Sequence, residues 1–285
     1  LQKLINQVVL IDYTIIILGG VKMNMSPLQR KFVIKQRIYS ISVTLSRLIL
    51  FLGFIGIWEF TADKGIINAF IFSSPVRLYQ TFMDLAKDGV IFMHIWVTLY
   101  ETIVAFAIIT VVGIIFAILL WCFKGLSDCL EPFMVVLNSL PKSALAPMLI
   151  VWLGTNTKAI IITAVSVAIF GMIINLYTGF LGIDKEKITL IRTLGGNKWH
   201  ILCKLIIPGS KKIIISNMKV NIGLCLVGVI IGEFLAAKKG LGYLIIYGSQ
   251  VFKMSYVVLG IVILCIISTI LFALINIIQK LFLKD

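Results

Sequence analysis

Charged residues are scarce in this chain. Asp, Glu, Lys and Arg together make up 13% of its 285 residues, whereas about 25% is typical of soluble domains. Hydrophobic residues make up 60%, and the mean hydropathy is +1.08. This composition excludes an ordinary soluble globular domain and predicts a polytopic membrane protein.

Acidic residues are fewer still, with 12 Asp and Glu against 26 Lys and Arg, for a formal net charge of +14. In a nucleic-acid-binding protein such an excess of positive charge gathers on one face. Here the Lys and Arg residues are scattered between apolar runs. We therefore interpret them as signals of membrane topology.

Residues that bind metals or form disulfides are few and poorly spaced. The five cysteines include no C-x-x-C pair, and the two histidines have no partners at ligand spacing. We expect the cysteines to act as small apolar residues. We expect His94 and His200 to lie at the membrane interface or on the surface.

Signatures of catalysis are also absent. The sequence contains no G-x-x-x-x-G-K-[ST] phosphate loop, no H-E-x-x-H, no G-x-S-x-G and no credible Ser/His/Asp arrangement. We therefore expect no catalytic, cofactor-binding or metal-binding residues, and no ATP hydrolysis by this chain alone.

Long apolar runs are what the sequence has instead. A hydrocarbon core of ~30 Å requires about 20 apolar residues in a helix, and six runs meet this length. They predict an all-α bundle of six transmembrane helices, of which the third is interrupted by Pro141 and Pro147. The expected spans are about 44–61, 96–122, 133–153, 158–180, 213–235 and 256–281.

The distribution of Lys and Arg predicts that both termini lie in the cytoplasm. Basic residues are dense before the first span and between the fourth and fifth spans, and two more, Lys280 and Lys284, lie at the C-terminus. Three lysines in the last external loop, Lys238, Lys239 and Lys253, lie on the side that this rule disfavours.

Residues 1–43 are predicted to form an N-terminal cytoplasmic segment ahead of a transmembrane domain at 44–285. The segment begins with Leu and has no convincing signal-peptide cleavage site. Residues 18–22 can be back-translated to include the ribosome-binding sequence AGGAGG, which favours translation from Met23 or Met25 and leaves 1–22 untranslated. The alternative is a short interfacial helix.

The loop at about 181–212, between the fourth and fifth spans, has a helical pattern. A simple tether would be polar and without periodicity, but TLIRTLGGNKWHILCKLIIP places apolar residues among Lys and Arg at helix-like spacing. The pattern predicts two short helices joined at Gly195–Gly196 and ending at Pro208. The apolar positions are Leu190, Leu194, Trp199, Leu202 and Leu205/Ile206. Such a unit suits a membrane surface or a groove on a partner.

This loop resembles the coupling loop of ABC importer permeases, whose pattern is E-A-A-x-x-x-G-x9-I-x-L-P. Alignment on Gly195 places Leu205 at the Ile position, Ile207 at the Leu position and Pro208 at the Pro without a gap. The sequence departs from the pattern at 189–191, where Thr-Leu-Ile replaces Glu-Ala-Ala. Thr189 cannot form the salt bridge that a Glu would make with an ATPase.

The resemblance runs from about Leu45 to Leu283 and is closest to permeases of the nitrate, sulfonate and taurine importers. Three further pieces carry it: a Ser-Pro turn in SSPVRLYQ after the first span, the Pro-rich LNSLPKSALAPMLIVWLGT, and GEFLAAKKGLGYLI at the end of the fifth span.

The resemblance implies a homodimeric permease in the bacterial cell membrane. Its partners would be two cytoplasmic ATPase subunits, which bind ATP and Mg, and an external solute-binding protein. The solute would be a small anion such as a sulfonate, taurine or nitrate, or a vitamin precursor. An ion-coupled secondary transporter is the alternative. The implied coupling residues are Thr189, Arg192, Leu194, Gly195, Gly196, Trp199, Leu205 and Pro208.

Pro141, Pro147 and Glu233 are candidates for the solute pathway or its gate. Each has a plainer alternative: a static kink for the prolines, and a structural hydrogen bond to backbone or to Lys238 for Glu233. For Glu101, near an expected span end, interfacial anchoring is the simpler account. The tetrad 240–243, Gly-Leu-Gly-Tyr, is expected to turn the chain at the outer surface, with its Tyr as an interfacial anchor.

Overall fold

The computed structural model describes residues 27–282, and within them the chain forms only helices, turns and irregular connections. The predicted all-α fold is confirmed. Residues 1–22 and the possible start sites Met23 and Met25 lie outside the described residues. In chain order the helices are α1 (Pro27–Asp63), α2 (Ala69–Phe72), α3 (Pro75–Lys87), α4 (Val90–Cys122), α5 (Lys124–Ser139), α6 (Lys142–Leu153), α7 (Thr157–Leu181), α8 (Lys185–Thr193), α9 (Lys198–Ile201), a π-helical turn (Leu202–Ile206), α10 (Ile207–Gly209), α11 (Lys211–Ala236), α12 (Leu241–Gln250) and α13 (Met254–Phe282).

Five of these helices, α1, α4, α7, α11 and α13, are long and apolar enough to cross a membrane. Helices α5 and α6 together also qualify, but their axes bend by 96° at the break between them. The predicted six spans are therefore confirmed when the bent pair is counted as one.

The predicted starts of the second and third spans differ from the structure. The second span begins at Val90 and not at 96, because Gly89 with φ +70° allows the helix to start there and the polar His94 is accommodated inside it. The third span begins at Lys124, since α5 is an amphipathic helix whose charged first turns gave no apolar run in the sequence.

The backbone contacts divide the chain into two units, Leu1–Phe60 and Thr61–Asp285. The first contains most of α1, which is continuous across the predicted domain boundary at 43/44. In the second unit α7 lies at the centre and packs against both α4 and α11, which also contact each other. Its core residues include Met172 and Leu176, both fully buried.

Small residues allow α7 and α11 to approach closely. Gly228 and Gly232, four residues apart on one face of α11, lie against Ala164 and Ile160 of α7. A Cβ added at Gly228 would lie 2.6 Å from the Cα of Ala164. This is the small-residue packing typical of helices in membranes, where backbone proximity replaces the hydrophobic effect as the driving force.

We predict that Gly228→Ala destabilises the protein by about 1–3 kcal/mol, because the new methyl group overlaps the backbone of α7. The matched control is Gly223→Ala on the same helix, where an added Cβ meets nothing within 4 Å. The control should be neutral or stabilising, since Ala is the better helix former. Thermal unfolding of both variants in detergent measures the difference, and equal melting temperatures would contradict the packing account.

Candidate functional site

The loop between α7 and α11 folds as two short helices joined at a glycine pair. Asp184 caps α8 by accepting a hydrogen bond from the amide of Glu186 at 2.9 Å. Asn197 and His200 cap α9 reciprocally, since each side chain accepts from the backbone amide of the other residue. The form predicted for this loop agrees with the structure.

The two glycines at the junction are needed for different reasons. Gly195 has φ +78°, a left-handed conformation that other residues rarely adopt. Gly196 donates to the carbonyl of Ile191 at 2.8 Å, and a Cβ there would lie 2.4 Å from Ile191 Cγ2. The turn between α8 and α9 is therefore tight and specified by sequence.

The inner face of this loop is part of the protein core. Ile201, Leu202 and Ile206 are fully buried in the cluster that includes Leu176 and Phe180 of α7. The sequence pattern grouped Leu202 and Ile206 with the residues available to a partner, and that grouping was wrong. The chain advances by a π-helical turn at 202–206, which directs both side chains inward.

The outer face of the loop is apolar at its centre. Leu190, Leu194 and Trp199 are 58%, 78% and 68% exposed. Basic residues, Arg192 and Lys198, lie beside them on the surface. Of the predicted coupling residues, Gly196 and Leu205 are partly buried, and the exposed ones are Thr189, Arg192, Leu194, Gly195, Trp199 and Pro208.

A second candidate site, which is polar, lies around Glu233 near the C-terminal end of α11. Its side chain is fully buried. Oε1 accepts a hydrogen bond from the hydroxyl of Thr98 at 2.7 Å, and Oε2 accepts from the amide of Gly242. The structure thus shows the hydrogen bond to backbone that the sequence left open, and no ion pair joins Glu233 to Lys238 within the described residues. A gating role for Glu233 stays a prediction.

Three side chains together cap the start of α12. The first amides of a helix have no partner inside it, and here they are satisfied from other helices. Gly240 donates to His94 Nδ1 at 2.9 Å, Leu241 to Thr98 Oγ1 at 2.8 Å and Gly242 to Glu233 Oε2. The acidic side chain also suits the positive end of the helix dipole. This trio, called here the α12 cap, ties α4, α11 and α12 together.

The glycines of the Gly-Leu-Gly-Tyr tetrad make this cap possible. A Cβ at Gly240, where φ is +114°, would lie 2.4 Å from the Glu233 carboxyl carbon, and one at Gly242 would lie 2.8 Å from Glu233 Cβ. The tetrad does turn the chain, as expected, but it does so to start α12. Tyr243 is partly buried and stacks between His94 and Tyr247, with ring centroids 6.0 and 5.9 Å away.

Two expectations from the sequence were wrong here. His94 is buried and not interfacial, because its ring accepts the Gly240 amide. Glu101 is also buried, since α4 begins six residues before the predicted span and places Glu101 three turns inside the helix. Neither of its carboxyl oxygens has a well-aligned donor, and its polar neighbours are the Glu233 carboxyl and Thr157. Anchoring at the interface does not apply to it.

The third candidate region is the break in the third span. Leu140 is extended, with φ −60° and ψ 140°, as expected for a residue before proline. Pro141 follows as the cap of α6, so it lies at the bend. Pro147 lies inside α6, which continues past it to Leu153.

We predict that Thr98→Val destabilises the protein by about 1–3 kcal/mol, because it removes both the donor to Glu233 and the acceptor for the Leu241 amide. Thr110 on the same helix is the matched control, since its buried hydroxyl has no hydrogen-bond partner. Thr110→Val should be neutral or stabilising. Thermal unfolding in detergent distinguishes the two, and a Thr98→Val variant as stable as the control would refute the α12 cap.

Comparison with known proteins gives one consistent result. The family described as binding-protein-dependent transport system inner membrane component matches residues 109–284. SsuC of Bacillus subtilis, named for aliphatic sulfonate transport, is 26% identical over 231 residues, 81% of this chain and 83% of its own. RibX of Chloroflexus aurantiacus, a riboflavin transport permease, is 23% identical over 242 residues, 85% and 88% of the two chains.

A third relative, ThiX of Halalkalibacterium halodurans, is a formylaminopyrimidine transport permease, 26% identical over 195 residues, 68% and 77% of the two chains. Among solved structures, a chain of the inward-facing MetNI methionine ABC transporter superposes with a TM-score of 0.61 at 18% identity. The match covers 68% of this chain and 96% of that one, and it shows a shared fold. This chain belongs to the family of binding-protein-dependent transport system inner membrane components, the multi-pass membrane permeases of ABC transporters.

Proposed function

We propose that this chain forms the solute pathway of an ATP-driven importer, as a homodimer that docks two cytoplasmic ATPase subunits through the loop at 185–209. The observation that carries the proposal is the exposed apolar surface of Leu190, Leu194 and Trp199 on a loop whose inner face is locked into the core. An external solute-binding protein completes the transporter.

The outer surface of the loop suits a protein groove. Exposed apolar side chains clustered on short helices are typical of a helix that inserts into a partner. Thr189 stands where the family pattern has Glu, and its hydroxyl donates a hydrogen bond to the backbone carbonyl of Lys185, one turn earlier in α8. It offers no charge to an ATPase, so docking depends on shape and on the apolar residues, with Arg192 and Lys198 at the edge.

The attachment of the loop suits the transmission of force. Ile201, Leu202 and Ile206 pack under the cytoplasmic end of α7, and α11 begins directly after the loop at Lys211. When ATP binding closes the ATPase dimer, the loop moves as one piece with these spans. The pathway then switches between inward-open and outward-open states by rigid-body motion. This arrangement requires both termini in the cytoplasm, as the basic residues predict.

The names of the relatives indicate the class of solute. Their names cover aliphatic sulfonates, formylaminopyrimidine and riboflavin. We propose a small organic or inorganic anion or a vitamin precursor, delivered by the binding protein. The buried carboxyls of Glu101 and Glu233 are a feature that the alternative, an ion-coupled secondary transporter, would share, and the following experiments decide between the two.

We predict that the double variant Leu194→Ala/Trp199→Ala loses the ATPase while it stays folded, because only exposed side chains are removed. Co-purification of the tagged chain with the ATPase of the same transport system, in detergent, measures this. Replacing the whole loop would be uninformative, since Ile201, Leu202 and Ile206 belong to the core.

The control for this experiment is Cys203→Ala, an exposed residue of the same loop outside the apolar patch. It should retain the ATPase at the wild-type level. The docking proposal would be contradicted if the double variant bound the ATPase as well as the wild type does, or if the wild type did not bind it. The loop would then be interpreted as a membrane-surface element.

We predict that Gly195→Pro separates ATP hydrolysis from solute uptake without preventing membrane insertion. Proline fixes φ near −65°, whereas Gly195 requires +78°, so the two helices of the loop lose their relative orientation. Gly195→Asn is the matched control, because Asn tolerates the left-handed conformation. Normal uptake by the Pro variant, or equal loss in the Asn variant, would count against coupling through this turn.

A further inference from the structure

The break between α5 and α6 lies beside the middle of α7, a helix that is long and apolar enough to cross a membrane. Asn138, two residues before it, packs on α7, where a Cβ added at Gly171 would lie 3.4 Å from Asn138 Oδ1. Gly171 is 14 residues from the start of α7 and 10 from its end. At a helical rise of ~1.5 Å per residue these separations are about 21 and 15 Å.

The backbone at this break is exposed. Leu140 and Pro141 are exposed, and so are Ser143 and Ala144 in the first turn of α6. Irregular backbone does not face lipid inside the hydrocarbon region, because its polar groups would have no partners; it is tolerated against protein or beside a water-filled cavity. The exposed break therefore faces water or a second subunit, not lipid.

A cationic side chain lies at this break. The ammonium group of Lys142 donates to the backbone carbonyl of Asn138, one turn back in α5. An ammonium carries three donors, so two remain. Among the described residues no carboxylate is within 4.0 Å of it. The acidic residues of α5, Asp128 and Glu131, are 10 and 7 residues before Asn138, about 15 and 10 Å along the helix.

A charged group at this depth is costly unless water or a counter-ion reaches it, and such residues mark solute or ion pathways. We propose that the break at 140–143 lines a water-filled solute pathway and that Lys142 there holds the negatively charged group of the passing solute. The ligand class is a small anion with carboxylate, sulfonate or phosphate oxygens, which accept the two remaining N–H donors. The proposal rests on the permease function and narrows its solute class.

The test measures the reaction of a single cysteine beside Lys142 with charged thiol reagents. Ser143→Cys is introduced into a chain whose five native cysteines are replaced by Ala, and the complete transporter is studied in membranes open on both sides. The anionic reagent is 2-sulfonatoethyl methanethiosulfonate, which is itself an ethanesulfonate. The cationic one is 2-(trimethylammonium)ethyl methanethiosulfonate. The replaced cysteines are Cys122, Cys129, Cys203, Cys225 and Cys265.

We expect both reagents to modify the introduced cysteine, because a thiolate forms only in contact with water. Lys142→Gln should lower the ratio of the anionic to the cationic rate by about tenfold, given the strength of a charge pair at short range. Lys142→Arg should retain the ratio. With Lys142 present the anionic rate should saturate with reagent concentration, since binding precedes reaction, and with Gln it should stay linear.

The matched control is Lys219→Gln, which removes another lysine within the spans. The ammonium of Lys219 lies over the ring of Phe272, 5.7 Å from its centroid. This variant should leave the ratio of the two labelling rates unchanged. Any one of three results would overturn the proposal. The first is an introduced cysteine that neither reagent modifies, and the second is an equal change of the ratio in the Lys219 control. The third is that Lys142→Gln changes neither the ratio of the two rates nor their dependence on reagent concentration.

This labelling does not depend on the ATPase or on the identity of the solute. Failure of ATPase docking, with the expected labelling, would remove the ATP-driven importer and leave the anion site intact. Docking of the ATPase without the expected labelling would retain the ATP-driven importer and remove the anion site at Lys142.

Discussion

The structure depends on one constraint: inside a bilayer every backbone N–H and C=O must find a partner within the protein or in a water-filled cavity. Unbroken helices meet it along most of α4, α7, α11 and α13. Where the helices are interrupted at two places, polar side chains supply the missing hydrogen-bond partners. Lys142 caps the last turn of α5 at the break in the third span, and His94, Thr98 and Glu233 accept the first amides of α12.

Helix α11 connects the loop at 185–209 to the α12 cap. This helix spans 26 residues, Lys211–Ala236, about 39 Å at ~1.5 Å per residue. It begins directly after the loop at 185–209 and reaches Glu233 one turn before its end. If the loop moves as proposed, its displacement would be carried along α11 to the α12 cap, which fixes α4, α11 and α12 to one another. Close packing of Gly228 and Gly232 on α7 joins a fourth helix to this group.

Much of this could be read from the sequence, because it depends on local pattern. Hydropathy located the spans, and the Gly195–Gly196 pair located the junction of the two loop helices. The α12 cap could not be predicted, since its partners are far apart in the chain: Gly240 and His94 are separated by 146 residues, and Glu233 and Thr98 by 135. Polar residues near an apparent span end, such as His94 and Glu101, look interfacial until the contacts that bury them are known. The inward turn of Leu202 and Ile206 was hidden for a similar reason, because a π-helical turn shifts the helical face that simple periodicity predicts.

The most direct test of the central claim is an electron cryomicroscopy structure of the complete transporter in lipid nanodiscs, with its ATPase and binding protein. Our account predicts two copies of this chain related by a two-fold axis. Leu194 and Trp199 of each copy should lie in an ATPase groove, and the break at 140–143 should face a hydrated space between the copies. A loop that does not contact the ATPase, or a break that faces lipid, would contradict it.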